Sequence, residues 1–357
     1  MKIITVVGAR PQFIKASVVS QEIAKRKELN EIIIHTGQHF DENMSSIFFE
    51  QMNISAPKYQ LNINGLTHGA MTGQMLQEIE KICITEKPDL LMVYGDTNST
   101  LAGALAAKKI GIKVAHIESG LRSHNMSMPE EINRIITDRI SDVLFCPTED
   151  SIQNLKFEGL YNIRNQVFNS GDVMEDACLR FAEFSNQNST ILSKLDLQGK
   201  EFLLCTIHRQ ENTDNLDVLK ELIHTLNELS KSYKVVFPIH PRTRKLIEQN
   251  KLKLSFTPID PVGYFDILEL LKQTSFVMTD SGGLQKEAFF MNKFCITLRT
   301  ETEWVELVNN GYNFITGANF DKITKAIDFI SKNKFEKKHN FYGGGTAASF
   351  IATKLAE

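Results

Sequence analysis

Residues 90–120 read LLMVYGDTNSTLAGALAAKKIGIKVAHIESG, and this stretch decides the fold. Leu90–Tyr94 is a continuous apolar run, too unbroken for a strand with one wet face, so it is buried on both sides. Residues 101–109 carry a helical pattern, which Gly111 can end. Residues 114–117 form a second buried strand. Strand, helix and strand in this order make a βαβ unit, which belongs to a parallel sheet.

The same alternation extends outward in both directions. Lys2–Val7, residues 32–35 and Val143–Cys146 read as further strands. The series restarts after residue 170 with Phe202–Thr206, residues 235–238, Phe276–Thr279 and residues 294–298, separated by helices such as 216–230. It therefore completes twice, giving two Rossmann-like α/β domains, 1–170 and 171–340. The polar stretch 161–172, with Asn162, Asn165, Asn169 and Gly171, is the candidate link. The length of 357 residues suits two domains of about 150 each. A lysine-rich solvated run at 332–338 precedes Gly343-Gly344-Gly345 and a short apolar helix, and 341–357 is expected to pack back on the first domain.

Composition removes several function classes. Hydrophobic residues are 42% and charged residues 23%, as in ordinary folded chains, which excludes intrinsic disorder. Forty basic against forty-three acidic residues leave no large basic excess, so nucleic acid is not an expected partner. No segment approaches the roughly 20 apolar residues of a membrane span, and the N-terminal apolar run breaks too early for a signal peptide. The cysteines at 83, 146, 178, 205 and 295 are scattered and never in a Cys-x-x-Cys pair, which points to a reducing cytoplasm. The histidines form no His-Glu-x-x-His cluster, so no dedicated metal site is expected.

Ligands of open parallel sheets bind beyond the carboxyl ends of strands, and between two such domains that means a cleft. Residues just after strands are therefore the site candidates. The first strand runs into Gly8-Ala9-Arg10-Pro11-Gln12-Phe13-Ile14-Lys15, an anion-suited turn with two nearby cations, Arg10 and Lys15. Asp96 follows the strand at 90–94 and either caps the next helix or faces the ligand. Glu118 follows one βα unit later, on the same sheet edge. Glu130 and Glu131 come next, where Pro129 starts a helix. Acids in a first helical turn favour the dipole in any case. Several carboxylates at one edge push their pKa values apart, which suits proton transfer or glycosidic cleavage.

In the second half, His208-Arg209 and His240-Pro241-Arg242 follow strands. Thr279-Asp280-Ser281-Gly282-Gly283 enters a helix, making a diphosphate cradle of amides and a hydroxyl. Neither a Walker ending nor Gly-x-Gly-x-x-Gly is present, which argues against an ATPase and against a nicotinamide or flavin cofactor. These features suggest a phosphate-bearing sugar.

These motifs resemble the non-hydrolysing UDP-N-acetylglucosamine 2-epimerases. The likeness is carried by residues 7–15, Thr36-Gly37-Gln38-His39, Gly95-Asp96-Thr97, 116–122, 129–134, His208-Arg209, His240-Pro241 and 280–288, in family order over essentially the whole chain. The resemblance implies a glycosyltransferase-B-like fold whose C-terminal helix returns to the first domain. It also implies inversion at C2 of a UDP-linked 2-acetamido sugar with no cofactor, by anti elimination of UDP and re-addition. Asp96, Glu118 and Glu130 are then the acid/base candidates and His208 an active-site residue. Arg10, the Ser281-Gly282-Gly283 amides and His208 would stabilise the leaving diphosphate. Lys15, Arg122, His240 and Arg299 join the substrate-binding set, and Glu287 matches the family's ribose-binding glutamate. Family members are often homodimers and serve bacterial surface polysaccharide synthesis.

Two departures from the best-known members refine this. Their Thr-Glu-Arg-Pro-Glu run is Thr302-Glu303-Trp304-Val305-Glu306 here. That resembles the branch acting on UDP-2,3-diacetamido-2,3-dideoxyglucuronate, where Arg122 or Arg299 would serve the substrate carboxylate. Members with an activating second UDP-sugar site carry Arg-Glu after Gln-His, whereas this chain has Phe40-Asp41-Glu42-Asn43, so no allosteric activation is expected. Rival readings are a hydrolysing epimerase, a glycosyltransferase of the same fold, or a nucleotide-sugar binder without turnover. Product analysis separates the first, the need for an acceptor the second, and a proton-exchange assay the third.

Overall fold

The computed structural model describes residues 1–38, 56–162 and 166–357. The motif residue His39 and the run Phe40-Asp41-Glu42-Asn43 lie outside the described residues, as does Asn165. The chain forms two compact units, Met1–Ala177 with Asn340–Glu357, and Cys178–His339.

The first unit is built on seven parallel strands: β1 (Lys2–Val7), β2 (Asn30–His35), β3 (Tyr59–Gln60), β4 (Leu90–Tyr94), β5 (Lys113–Ile117), β6 (Val143–Cys146) and β7 (Gln166–Asn169). Their order is β3-β2-β1-β4-β5-β6-β7. Successive strands run one way from β1 and the other way from β4, so the topological switch lies between those two. Ile4, Val6, Leu91 and Val93 are fully buried and pack with Met75 and Ile79 of the helix His68–Glu86. The stretch 161–172, read from sequence as a link, instead supplies β7, which pairs in parallel with β6. The final helix, Ala347–Ala356, belongs to this unit. Asp176 caps it by accepting the amides of Ala347 and Ala348 at 3.1 and 2.9 Å.

The second unit has five parallel strands: β8 (Phe202–Thr206), β9 (Lys234–Val236), β10 (Phe276–Thr279), β11 (Cys295–Thr297) and β12 (Asn313–Ile315). The order is β12-β11-β10-β8-β9, which puts the switch between β8 and β10. Leu203, Cys205, Met278 and Ile296 are fully buried with Leu219 and Leu226 of the amphipathic helix Leu216–Leu229. Among the described residues no helix is long and apolar enough to cross a membrane.

Candidate active site

In the first unit the ends of β1 and β4 are strapped together by Gln12. Its Oε1 accepts the amides of Gly8 and Ala9 at 2.8 and 3.1 Å, and its Nε2 donates to the carbonyl of Tyr94 at 2.8 Å. This buried carboxamide crosses the switch point, where open sheets bind ligands. Arg10 opens the helix Arg10–Ala24, and its side chain lies outside the described set.

The acids gather at the same edge. Thr97, not Asp96, caps the helix Asn98–Lys109, its hydroxyl accepting from Thr100 N. Asp96 is thereby left for other work, with its side chain 29% exposed and ion-paired to Arg134. Glu118 sits in left-handed backbone with φ of 71°, uncommon for a residue with a Cβ. Its carboxylate lies over Gly95, 3.3 Å from where a Cβ there would stand, and pairs with Lys15 Nζ at 2.5 Å. Lys15 thus reaches this edge from the first helix and is neutralised there by Glu118.

Glu130 stands exposed in the first turn of the helix Pro129–Ile140, with no hydrogen-bond partner among the described residues. Its neighbour Glu131 is buried and accepts the amides of Ser123 and His124 at 3.0 and 2.9 Å and Arg134 Nη1 at 2.6 Å. Burial pushes Glu131 upward, but those amides and Arg134 outweigh it and hold the carboxyl below its ordinary value.

Arg122 is placed against the expectation for it. Its guanidinium turns inward, bonding Glu158 through Nε and Nη2 at 2.6 and 2.8 Å and Asp138 through Nη1 at 2.7 Å. A buried guanidinium committed to two carboxylates is a structural cation, so it is not placed to meet a substrate carboxylate.

In the second unit the switch point holds His208 and Asp280. Asp280 is fully buried and accepts the amides of His208 and Arg209, each at 2.9 Å, and Asn212 Nδ2 at 3.0 Å. Its Oδ1 lies 3.2 Å from His208 Nδ1. Burial raises Asp280, yet the His208 ring and these amides together hold it below its ordinary value. The His208 side chain is 38% exposed, with Nδ1 turned to Asp280. His240 caps the helix Pro241–Gln249 through Nδ1, and its ring lies 6.0 Å from that of His208. Partial burial, with the neighbouring His208 and Arg242, lowers its pKa.

Ser281 caps the helix Gly282–Phe290, its hydroxyl accepting from Leu284 N at 3.4 Å. Neither Gly282 nor Gly283 has positive φ, and a Cβ at either would meet nothing closer than 3.7 Å. What the glycines supply is open approach to first-turn amides, which a helix leaves unbonded. Trp304 Nε1 donates to the Gly282 carbonyl at 2.9 Å and its ring lies under Lys286 Nζ at 3.9 Å. The only tryptophan therefore pins the turn.

Glu287 is buried within this helix rather than on its surface. Arg299 follows β11, buried, and pairs with Glu303 at 3.0 Å, with Glu211 further off at 3.7 Å. Sequence reasoning missed Gln12, Arg134, Asp138 and Asp280 as site-shaping residues. Gln12, Arg134 and Asp280 each stood inside a motif quoted above, at 7–15, 129–134 and 280–288, without being given a role, and only Asp138 lay outside all of them.

Two parallel α/β units, with gathered carboxylates at one switch point and a histidine beside an open serine-glycine turn at the other, define a Rossmann-type sugar-nucleotide protein. The family described as UDP-N-acetylglucosamine 2-epimerase matches residues 21–356, and the chain belongs to that family. It is 54% identical to the UDP-2,3-diacetamido-2,3-dideoxy-D-glucuronate 2-epimerase of Pseudomonas aeruginosa, covering 100% of both chains. It is 42% identical to a UDP-N-acetylglucosamine 2-epimerase of Methanococcus maripaludis, over 98% of this chain and 97% of that one. The Methanocaldococcus jannaschii UDP-GlcNAc 2-epimerase, solved with UDP-GlcNAc and UDP, superposes with a TM-score of 0.90 at 42% identity and 99% coverage of both chains. The Neisseria meningitidis enzyme bound to UDP-GlcNAc gives 0.89 at 29% identity, again with 99% coverage of each. The protein is an isomerase, an epimerase of UDP-sugars with a glycosyltransferase-B-like fold.

Proposed function

We propose that this enzyme inverts C2 of UDP-2,3-diacetamido-2,3-dideoxyglucuronate without hydrolysis, providing a precursor for bacterial surface polysaccharide. The substrate assignment is supported by the full-length 54% identity to the Pseudomonas enzyme of that name. The observation that carries the chemistry is the Glu118 carboxylate lying over Gly95, the residue before Asp96, with the two acids following adjacent strands.

The C2 proton is not acidic, so its loss is coupled to departure of the diphosphate. A carboxylate takes the proton, the C2–H electrons form the C1=C2 bond of a glycal, and the C1–O pair leaves with UDP. The Ser281-Gly282-Gly283 amides, with Arg10 and His208, stabilise the charge on that leaving group. Asp280 supports this by orienting His208. UDP then re-adds at C1, and a second acid protonates C2 from the other face. Asp96, Glu118 and Glu130 are the three candidates for these proton transfers.

The test is incubation in D₂O, separately with UDP-N-acetylglucosamine and with the diacetamido-glucuronate substrate, followed by NMR. The expected result is deuterium at C2 in an epimerised UDP-sugar, with a large kcat/KM preference for the glucuronate. Free sugar with UDP overturns the non-hydrolysing route, and preference for UDP-N-acetylglucosamine overturns the substrate. We also infer a cytoplasmic homodimer. Five buried free cysteines support the reducing compartment and the family resemblance supports the dimer, which sedimentation equilibrium checks.

A further inference from the structure

Behind the acid-bearing turns of the first unit lies a buried ionic cluster that the proposed chemistry does not touch. Its centre is Asp138, fully buried on the helix Pro129–Ile140. Asp138 Oδ1 bonds His116 Nδ1 at 2.6 Å. Asp138 Oδ2 accepts the amide of Gly120 at 3.0 Å and Arg122 Nη1 at 2.7 Å. The far edge of the His116 ring, Nε2, meets the Gly95 carbonyl at 2.7 Å. A carbonyl only accepts, so Nε2 carries the proton.

The connections converge on the acids. Gly120 lies just past Glu118, and Gly95 just before Asp96. Glu130 lies in the first turn of the helix that carries Asp138. One carboxylate therefore reaches the turn after β5 directly and the turn after β4 through a single imidazole. The turn after β5 needs restraint, because Glu118 holds left-handed backbone at φ of 71°, which Gly95 at 61° adopts freely. Stability alone is a poor reason for this cluster. Burying charges costs desolvation, and well-packed apolar side chains serve a core as well or better.

We propose that Asp138 is a positioning residue for the C2 chemistry, setting through His116 and Gly120 the two turns that carry Asp96 and Glu118. The inference rests on the reading of those acids as the proton-transfer groups. It makes a graded prediction. Asn at 138 keeps every bond: its oxygen accepts from Gly120 and Arg122, and its amide donates to His116 Nδ1, which leaves Nε2–H on Gly95.

The experiment compares Asp138→Asn, Asp138→Ala and His116→Phe in kcat, KM and C2 deuterium incorporation, scaled to the folded fraction from circular dichroism. His116→Phe keeps the ring volume and leaves Asp138 paired with Arg122, so it reports if Asp138→Ala does not fold. Asp138→Asn should retain kcat within about threefold, while the other two lose about a hundredfold in kcat with little change in KM. Deuterium incorporation should fall in step with kcat. Near-wild-type kcat in the folded Ala and Phe variants overturns the proposal, as does a loss confined to KM. Asp138→Asn as inactive as Asp138→Ala would assign the effect to charge and equally overturn it. Absence of C2 deuterium in the wild type would instead fail the reaction itself, which separates the two readings.

Discussion

At Gly95 a single residue carries two demands. Its φ of 61° is left-handed, and the Glu118 carboxylate and Lys15 ammonium fill the space where a side chain would stand. Alanine there costs about 1–2 kcal/mol of backbone strain, and its methyl meets Glu118 Oε1 at 3.3 Å. Gly95→Ala should lose about that much stability in urea unfolding, with a larger penalty in kcat because Glu118 must move. A variant as active as wild type would show that Glu118 placement over Gly95 is immaterial. Asp96 gives the sharper test. Asp96→Asn preserves shape and removes one of the three proposed proton-transfer groups, so turnover should fall by about 10²–10⁴-fold. UDP affinity by calorimetry should be unchanged, since His208, Asp280 and Ser281 belong to the other unit. Near-normal turnover would remove Asp96 from the proton-transfer set. Asp96 and Glu118 were legible from sequence because they follow strands, and Glu130 because Pro129 marks the start of its helix. Their supports were not: Gln12 meets Tyr94 across 82 residues and His208 meets Asp280 across 72, distances that no local pattern encodes. Arg122 misled for the same reason. It stands close to Glu118 in sequence, but its side chain turns to Asp138 and Glu158.

Among the elements, the central strands and the edge strand β9 were readable, and the other three edge strands were not. β4 is buried along its whole length, so its sequence is a plain apolar run. β7, at one edge, reads Gln-Val-Phe-Asn with no fully buried residue, and so passed for a polar link. β3 and β12, with two and three residues, are too short to show a period. The helix cap at Asp176 yields a pH prediction. Burial pushes its carboxyl up to about 6, Asp172 and Glu175 add to this, and the two amides it accepts only partly offset them. A folded value above the unfolded one means the folded state holds the proton longer. Stability therefore falls as pH rises between about 4 and 6, and the penalty is complete above that window. Asp176→Asn has no such proton, although it gives up one of two acceptors for the helix amides. Its stability relative to wild type should improve by roughly 3 kcal/mol from pH 4 to pH 7 in paired denaturant titrations. A pH-independent difference would mean that Asp176 ionises at its ordinary value.

At the level of the molecule, the chain leaves the first unit after Ala177 and re-enters it at Asn340, so that unit is closed by a segment distant in sequence. Tyr342, Ile351 and Ala352 are fully buried there and Leu355 nearly so. The Tyr342 carbonyl accepts Asp172 N at 2.8 Å, and Gly344 N donates to Glu175 at 2.7 Å. Large apolar side chains contribute about 1.5–3 kcal/mol each on burial, so Tyr342, Ile351 and Leu355 together approach the 5–15 kcal/mol that holds a typical domain folded. Deleting Asn340–Glu357 should therefore unfold the first unit at ordinary temperatures and abolish turnover. The ligand groups proposed for the second unit remain in such a chain, because His208, Ser281 and Glu287 fall within Cys178–His339. UDP titrated into the truncated protein should still give a binding heat, while near-ultraviolet dichroism shows the loss of part of the tertiary signal. The milder Ile351→Ala should cost about 2–5 kcal/mol and lower only the unfolding transition of the first unit. Wild-type turnover in the truncated chain would show that the returning helix decorates the first unit without completing its core.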